Sequence, residues 1–145
     1  MEPTLTCEAF GGAGWREMVA LRHQVLRAPL GLAFSEAQLA EESSQIHLAI
    51  WMEARLAGTL LLLPPDPGRE GKLRQMAIRP DLVGRGLGSV LVRRAEAELR
   101  RLGAVSARLA ARESAVGFYA RLGYVAEGEA FLEVTLPHRL MRKRL

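Results

Sequence analysis

A stretch from Lys72 to Arg79 suits a strand and ends at Pro80, and Val83-Gly84-Arg85-Gly86-Leu87-Gly88-Ser89 follows. A long amphipathic stretch then places Leu87, Val90, Leu91, Ala95, Leu99 and Leu102 on one face, with Gly103 suited to its C-cap. This reads as strand, turn and helix, with three glycines at alternate positions where the helix begins. The first N–H groups of a helix have no partner inside it, and the helix dipole adds partial positive charge. Arg85 adds a full charge. Such a turn suits an anion, phosphate above all. It is not a P-loop, since no Lys-Ser/Thr pair follows, and its third glycine comes one residue early for a dinucleotide fingerprint. A turn of this composition can also serve only to reverse the chain.

The rest of the chain supplies other elements in alternation. Residues 4–10 suit a first strand, broken by Gly11, Gly12 and Gly14. Trp15, Met18, Val19, Arg22, Val25 and Leu26 fall at helical spacing up to Pro29. Ser35 and Gln38 form a capping box for a short helix over 36–43. Strands over 47–53 and 56–63 flank a tight turn near Ala54, and Pro64 to Gly71 is loop. A strand at 104–110 precedes a helix capped by Ser114, with Ala115, Phe118, Tyr119 and Leu122 on its apolar face and Gly123 at its end. The tail from Tyr124 suits two strands, Leu132, Val134 and Leu136 alternating with Glu133 and Thr135. The order β-α-α-β-β-β-α-β-α-β-β predicts a mixed sheet with helices on its faces.

With 145 residues, 49% hydrophobic and 25% charged, the expectation is one globular domain over 1–145. The apolar runs, Leu60 to Leu63 among them, are no more than strand length, so no membrane partner is expected. No signal-peptide pattern is visible, and a cytoplasmic location is the expectation. The single cysteine, Cys7, leaves no internal disulfide and reads as a buried strand residue rather than an acyl carrier. A net charge of +4 favours an anionic partner. Nucleic acid is not expected, because no helix-turn-helix spacing, zinc-ligand set or aromatic-basic strand is present. The basic end (Arg139, Arg142, Lys143, Arg144) reads as a solvated terminus.

Two blocks carry a resemblance. Met76-Ala77-Ile78-Arg79-Pro80 with Gly84-Arg85-Gly86-Leu87-Gly88-Ser89, and then Ala115-Val116-Gly117-Phe118-Tyr119-Ala120-Arg121-Leu122-Gly123-Tyr124, closely resemble the GNAT superfamily of N-acetyltransferases in order and spacing. The resemblance covers most of the chain and is weakest over 1–45. The ending around Leu136-Pro137-His138 resembles the ElaA-like branch. The resemblance implies an α/β (α+β) acyl-CoA N-acyltransferase fold, a mixed, mostly antiparallel sheet flanked by about four helices. It implies acetyl transfer from acetyl-CoA to a primary amine, small molecule or peptide, by direct attack in a ternary complex, with no metal. It also permits a homodimer. A non-catalytic acyl-CoA-binding or regulatory domain of the same fold is the alternative.

Site residues follow from the same resemblance. The pyrophosphate of coenzyme A maps onto Val83, Gly84, Arg85, Gly86, Leu87, Gly88 and Ser89. The pantetheine arm maps onto Met76, Ala77 and Ile78, with Arg112, Phe118 and Tyr119 nearby. Val83 stands where members usually carry Gln or Arg, and Arg112 where many carry Asn. Tyr119 maps onto the general acid that protonates the leaving thiolate, and a phenol holds its proton at neutral pH. It also shares a helix face with Phe118 and Leu122, as a core aromatic would. For the base, Glu41, Glu42, His47, Glu133 and His138 are candidates. Glu133 and His138 are preferred among them, although both also suit a solvent-exposed position. A water-relayed path without a single base is an alternative. Glu36, Glu41 and Glu42 suggest an acidic patch for a cationic amine.

Overall fold

The computed structural model describes residues 2–65 and 69–145. Within these residues seven strands form one sheet in the order β1-β2-β3-β4-β5-β7-β6. They are β1 (Thr4–Glu8), β2 (Ile46–Met52), β3 (Arg55–Leu63), β4 (Glu70–Ile78), β5 (Ser106–Arg112), β6 (Val125–Glu133) and β7 (Leu136–Arg144). Among the described residues β4 and β5 pair in parallel, and the other five pairings are antiparallel. Among the described residues four α-helices accompany them: α1 (Ala13–Arg22), α2 (Glu36–Ala40), α3 (Leu87–Arg101) and α4 (Val116–Arg121). The expected mixed, mostly antiparallel sheet with four helices is the observed one.

The sheet separates two apolar layers. On one face, Leu87, Leu91, Ala95 and Leu99 of α3 pack with Tyr119 of α4 against Leu48, Leu60, Leu62, Leu73 and Leu109. On the other, Met18 and Leu21 of α1 meet Ala49, Leu56 and Leu61. Alternation along β2 and β3 makes this possible, since successive side chains point to opposite faces. These two strands are accordingly buried on both sides.

Local signals mostly hold. Ser35 and Gln38 make the reciprocal capping box of α2. Glu53 and Ala54, both at positive φ, form the β2–β3 turn. The expected loop over 64–71 lies partly outside the described residues, and β4 already begins at Glu70. The first helix ends as α at Arg22 and continues as a π-turn, His23–Arg27, and a 3-10 turn, Ala28–Leu30.

Three expectations fail for physical reasons. Ser114 does not cap α4: it sits inside a 3-10 turn (Glu113–Ala115), the N-cap position is Ala115, and no side chain caps the helix. The alternation Leu132 to Leu136 is not one strand. Val134 and Thr135, at φ 45° and 67°, are the hairpin turn between β6 and β7. Two apolar-polar steps on either side of a two-residue turn imitate the strand period. Cys7 is exposed, because β1 is an edge strand and its side chain faces solvent.

Candidate active site

The site begins with a backbone irregularity in β4. Thr59 pairs with Ala77 and Leu61 with Arg74, so β4 spends one extra residue between those pairs. Gln75 takes φ 55° there. This is a β-bulge, which bends the strand and reverses its facing. Leu73, Met76 and Ile78 therefore all pack on the α3 side although their spacing is three and then two.

The bend separates β4 from β5. The two strands pair at Glu70–Ser106, Gly71–Ala107 and Lys72–Arg108, and the pairing stops there. From Leu73 and Leu109 onward they diverge. Two adjoining recesses of about 160 and 250 Å³ occupy the opening. The first is walled by Leu73, Met76, Leu109, Ala110, Ala115 and Tyr119, with Leu26, Arg27, Arg112, Glu133, Val134 and His138 also lining it. The second shares Arg27, Arg74, Gln75 and Glu133 with the first and adds Gln38 and Lys72.

The glycine-rich turn follows β4 after a 3-10 turn at Pro80–Leu82. Gly84 and Gly86 have φ 86° and 79°, a conformation that glycine adopts without strain. Gly86 is the N-cap of α3 and no side chain caps it. The first bond into the helix runs from the Val90 N–H to the Gly86 carbonyl, 3.2 Å. The N–H groups of Leu87, Gly88 and Ser89 precede it at the helix start. Gly88 has a different role: a Cβ there would lie 3.1 Å from Phe118 Cζ and 3.5 Å from Met76 Cε. Its missing side chain lets α3, α4 and β4 converge. Val83 is 68% exposed and brings no polar atom.

Tyr119 lines the first recess and is buried. Phe118 and Tyr124 hold its ring edge-on at 4.9 and 5.9 Å. Burial keeps its phenol protonated well above the ordinary range.

His138 is not a surface residue. It is 4% exposed and lines the recess, Phe131 stacked on it with centroids 6.2 Å apart. A carbonyl only accepts, so its Nδ1, 2.9 Å from the Leu136 oxygen, carries the proton in the neutral ring. That leaves Nε2 with a lone pair, 3.6 Å from Glu133 Oε2. Glu133 ends β6 beside the hairpin turn and lines both recesses.

Arg112 lies on the recess wall, where its Nη2 donates to the Leu26 carbonyl at 2.9 Å. The other candidates are elsewhere. Glu42 is buried in a two-pronged ion pair with Arg22, at 2.7 and 2.9 Å. His47 is buried on the Glu42 carbonyl. Glu36 and Glu41 are exposed and line neither recess. The acidic patch therefore does not form, since its central carboxylate is consumed by Arg22. Arg27, Lys72, Arg74 and Gln75 are recess residues that the sequence pattern did not single out. The break in apolar spacing at Leu73, Met76 and Ile78 was the available signal for the bulge that brings them together.

A sheet opened by a bulge between its parallel strands, with a bare helix start beside the opening, defines an acyl-transfer fold. The family model for the acetyltransferase (GNAT) family matches residues 15–124. YyaT of Bacillus subtilis is 30% identical over 77% of this chain and 74% of its own. An acyl-CoA N-acyltransferase from Pseudomonas aeruginosa superposes with TM-score 0.79 at 24% identity, covering 98% of this chain and 99% of that one. Escherichia coli ElaA superposes with TM-score 0.82 at 14% identity, over 99% of this chain and 100% of its own, a likeness of fold. Other solved proteins of this fold hold coenzyme A or acetyl-CoA. The chain belongs to the GNAT acetyltransferase family and is an acyltransferase.

Proposed function

We propose that the protein transfers an acetyl group from acetyl-CoA to a primary amine within a ternary complex. The observation that carries this reading is the β4–β5 opening, lined by Leu73, Met76 and Leu109 together with Tyr119. The donor's pyrophosphate rests on the turn from Val83 to Ser89, against the N–H groups of Leu87, Gly88 and Ser89. Backbone groups of Met76, Ala77 and Ile78, released by the divergence from β5, pair with the pantetheine amides. Phe118, packed under Gly88, borders that path. Because the cradle is mostly backbone, Val83 does not abolish it.

A neutral amine attacks the thioester carbonyl. A C–N bond forms, the C–S bond breaks, and the sulfur leaves as thiolate. A backbone N–H of the Met76–Ile78 segment stabilises the carbonyl oxygen as it gains charge. Tyr119 gives its proton to the thiolate. The amine's surplus proton passes to His138 Nε2, with Glu133 stabilising the imidazolium. Arg112, fixed on the Leu26 carbonyl, stands on the wall of the same recess as Tyr119.

Calorimetric titration with acetyl-CoA, with NAD and a DNA duplex as controls, tests the reading. Selective acetyl-CoA binding is expected. Equal or absent binding sinks it. Binding without amine-dependent thiol release would point instead to a non-catalytic acyl-CoA-binding domain.

A further inference from the structure

We propose that the acceptor amine also carries an anionic group, a carboxylate or phosphate, held by Arg27, Lys72, Arg74 and Arg112. This rests on the acyl-transfer reading above and specifies its acceptor.

Four cations line the two recesses, and Glu133 is the one carboxylate among the described residues that line them. None of the four has a carboxylate oxygen within ion-pair distance among the described residues. Their neighbours on the sheet show the contrast. Arg108 and Arg142 both reach Glu70, at 3.2 and 2.9 Å, and are neutralised. Glu133 itself turns toward His138 at 3.6 Å.

Arg27 and Arg112 are held in place. Arg27 and Arg112 both donate to the Leu26 carbonyl, at 3.1 and 2.9 Å. The Arg27 guanidinium also stacks over Phe34 at 4.6 Å. A guanidinium has five N–H donors, so each arginine keeps several for a ligand. Crowding registers in the ionisation of the group. Burial, and then the charges of Arg112, Arg22 and Arg74, lower the Arg27 pKa. Burial, Arg74 and Arg108 do the same to Lys72. An arriving anion relieves this repulsion, whereas a second ammonium adds to it. The same field favours the neutral form of the attacking amine, which is the reactive one.

The anion could reach the recess on the acceptor or on the donor's acyl group. The acceptor is favoured because Lys72 lines only the second recess, which lacks Tyr119, while Arg27 and Arg74 span both, so the cations extend away from the thioester end.

The test measures thiol release by the full chain with matched acceptors, phosphoethanolamine against ethanolamine and 4-aminobutyrate against butylamine, corrected for the neutral fraction of each. We expect kcat/KM to favour the acidic member by roughly tenfold or more. Arg74→Gln and Lys72→Gln should shrink that ratio while acetyl-CoA affinity stays the same. Preference for the neutral members, or a ratio the variants leave unchanged, overturns the proposal. So does a rate gain with succinyl-CoA over acetyl-CoA, which would put the anion on the donor. If no amine turns over, calorimetry with phosphoethanolamine decides: binding lost in Arg74→Gln supports the anion site, and no saturable binding overturns it. Absence of acetyl-CoA binding would be a separate failure, that of the acyl-transfer reading.

Discussion

The Tyr119 hydroxyl meets one hydrogen-bonding atom among the described residues, Met76 Sδ at 4.0 Å. A thioether is a weak acceptor, so the phenol is poorly satisfied for so buried a group. A hydroxyl that spends so little of its donor capacity on the protein, on the wall of a recess, is free to turn to a sulfur arriving there. Tyr119→Phe is therefore expected to keep the thermal midpoint of the wild type or raise it slightly. Thiol release should slow by roughly 10²-fold while acetyl-CoA affinity is retained. Equal turnover rates in the two proteins would remove the acid role.

Gly86 separates backbone strain from charge. Its φ is 79°, and nothing lies within 4 Å of where a Cβ would stand, so a substitution there clashes with no neighbour. Asn and Asp tolerate the left-handed conformation about equally and differ in charge. Gly86→Asp is expected to abolish acetyl-CoA binding, and Gly86→Asn to weaken it less. Calorimetric titration of both variants checks this, and matching affinities would sink the phosphate cradle.

Arg22 is fully buried and its guanidinium closes on Glu42. Breaking such a pair strands a charge in the interior. Glu42→Gln should cost about 3–5 kcal/mol and lower the thermal midpoint by about 10 °C or more. Arg22→Met combined with Glu42→Leu should recover much of that loss. Differential scanning calorimetry of the two variants distinguishes a stranded charge from lost packing.

Burial pushes the His47 imidazole below its ordinary 6.5, outweighing the raising effect of the Glu42 carbonyl and carboxylate. The unfolded chain then binds the proton more readily than the folded one. The stabilisation is complete above about pH 6.5 and is lost as pH falls toward the folded value. Thermal midpoints measured from pH 7.5 to 5 should therefore fall, and His47→Gln should flatten that slope. An unchanged slope would assign the acid sensitivity to other groups.

Much of the fold was legible because it is written in local chemistry. Ser35 and Gln38 announce a helix start by hydrogen bonding to each other's backbone. Gly103 and Gly123, at φ 91° and 99°, end helices because no other residue does so as cheaply. Where two structures share one local pattern, local reading failed. Leu132 to Leu136 reads as a strand and is a hairpin turn. His138 beside Pro137 suits either a recess wall or the surface, and Phe131 of the neighbouring strand decides between them by covering it.

The strand, glycine turn and helix, the order of elements and the position of Tyr119 were all readable along the chain, because each depends on neighbours a few residues apart. Which charges meet was decided by the packing of distant segments. Arg22 and Glu42, twenty residues apart, cancel in the interior. Arg27, Lys72, Arg74 and Arg112 come from three separate elements and, among the described residues, remain without a carboxylate partner around one opening. Charge acts through space and not along the chain, so the character of the recess emerges only once the bulge at Gln75 has parted β4 from β5.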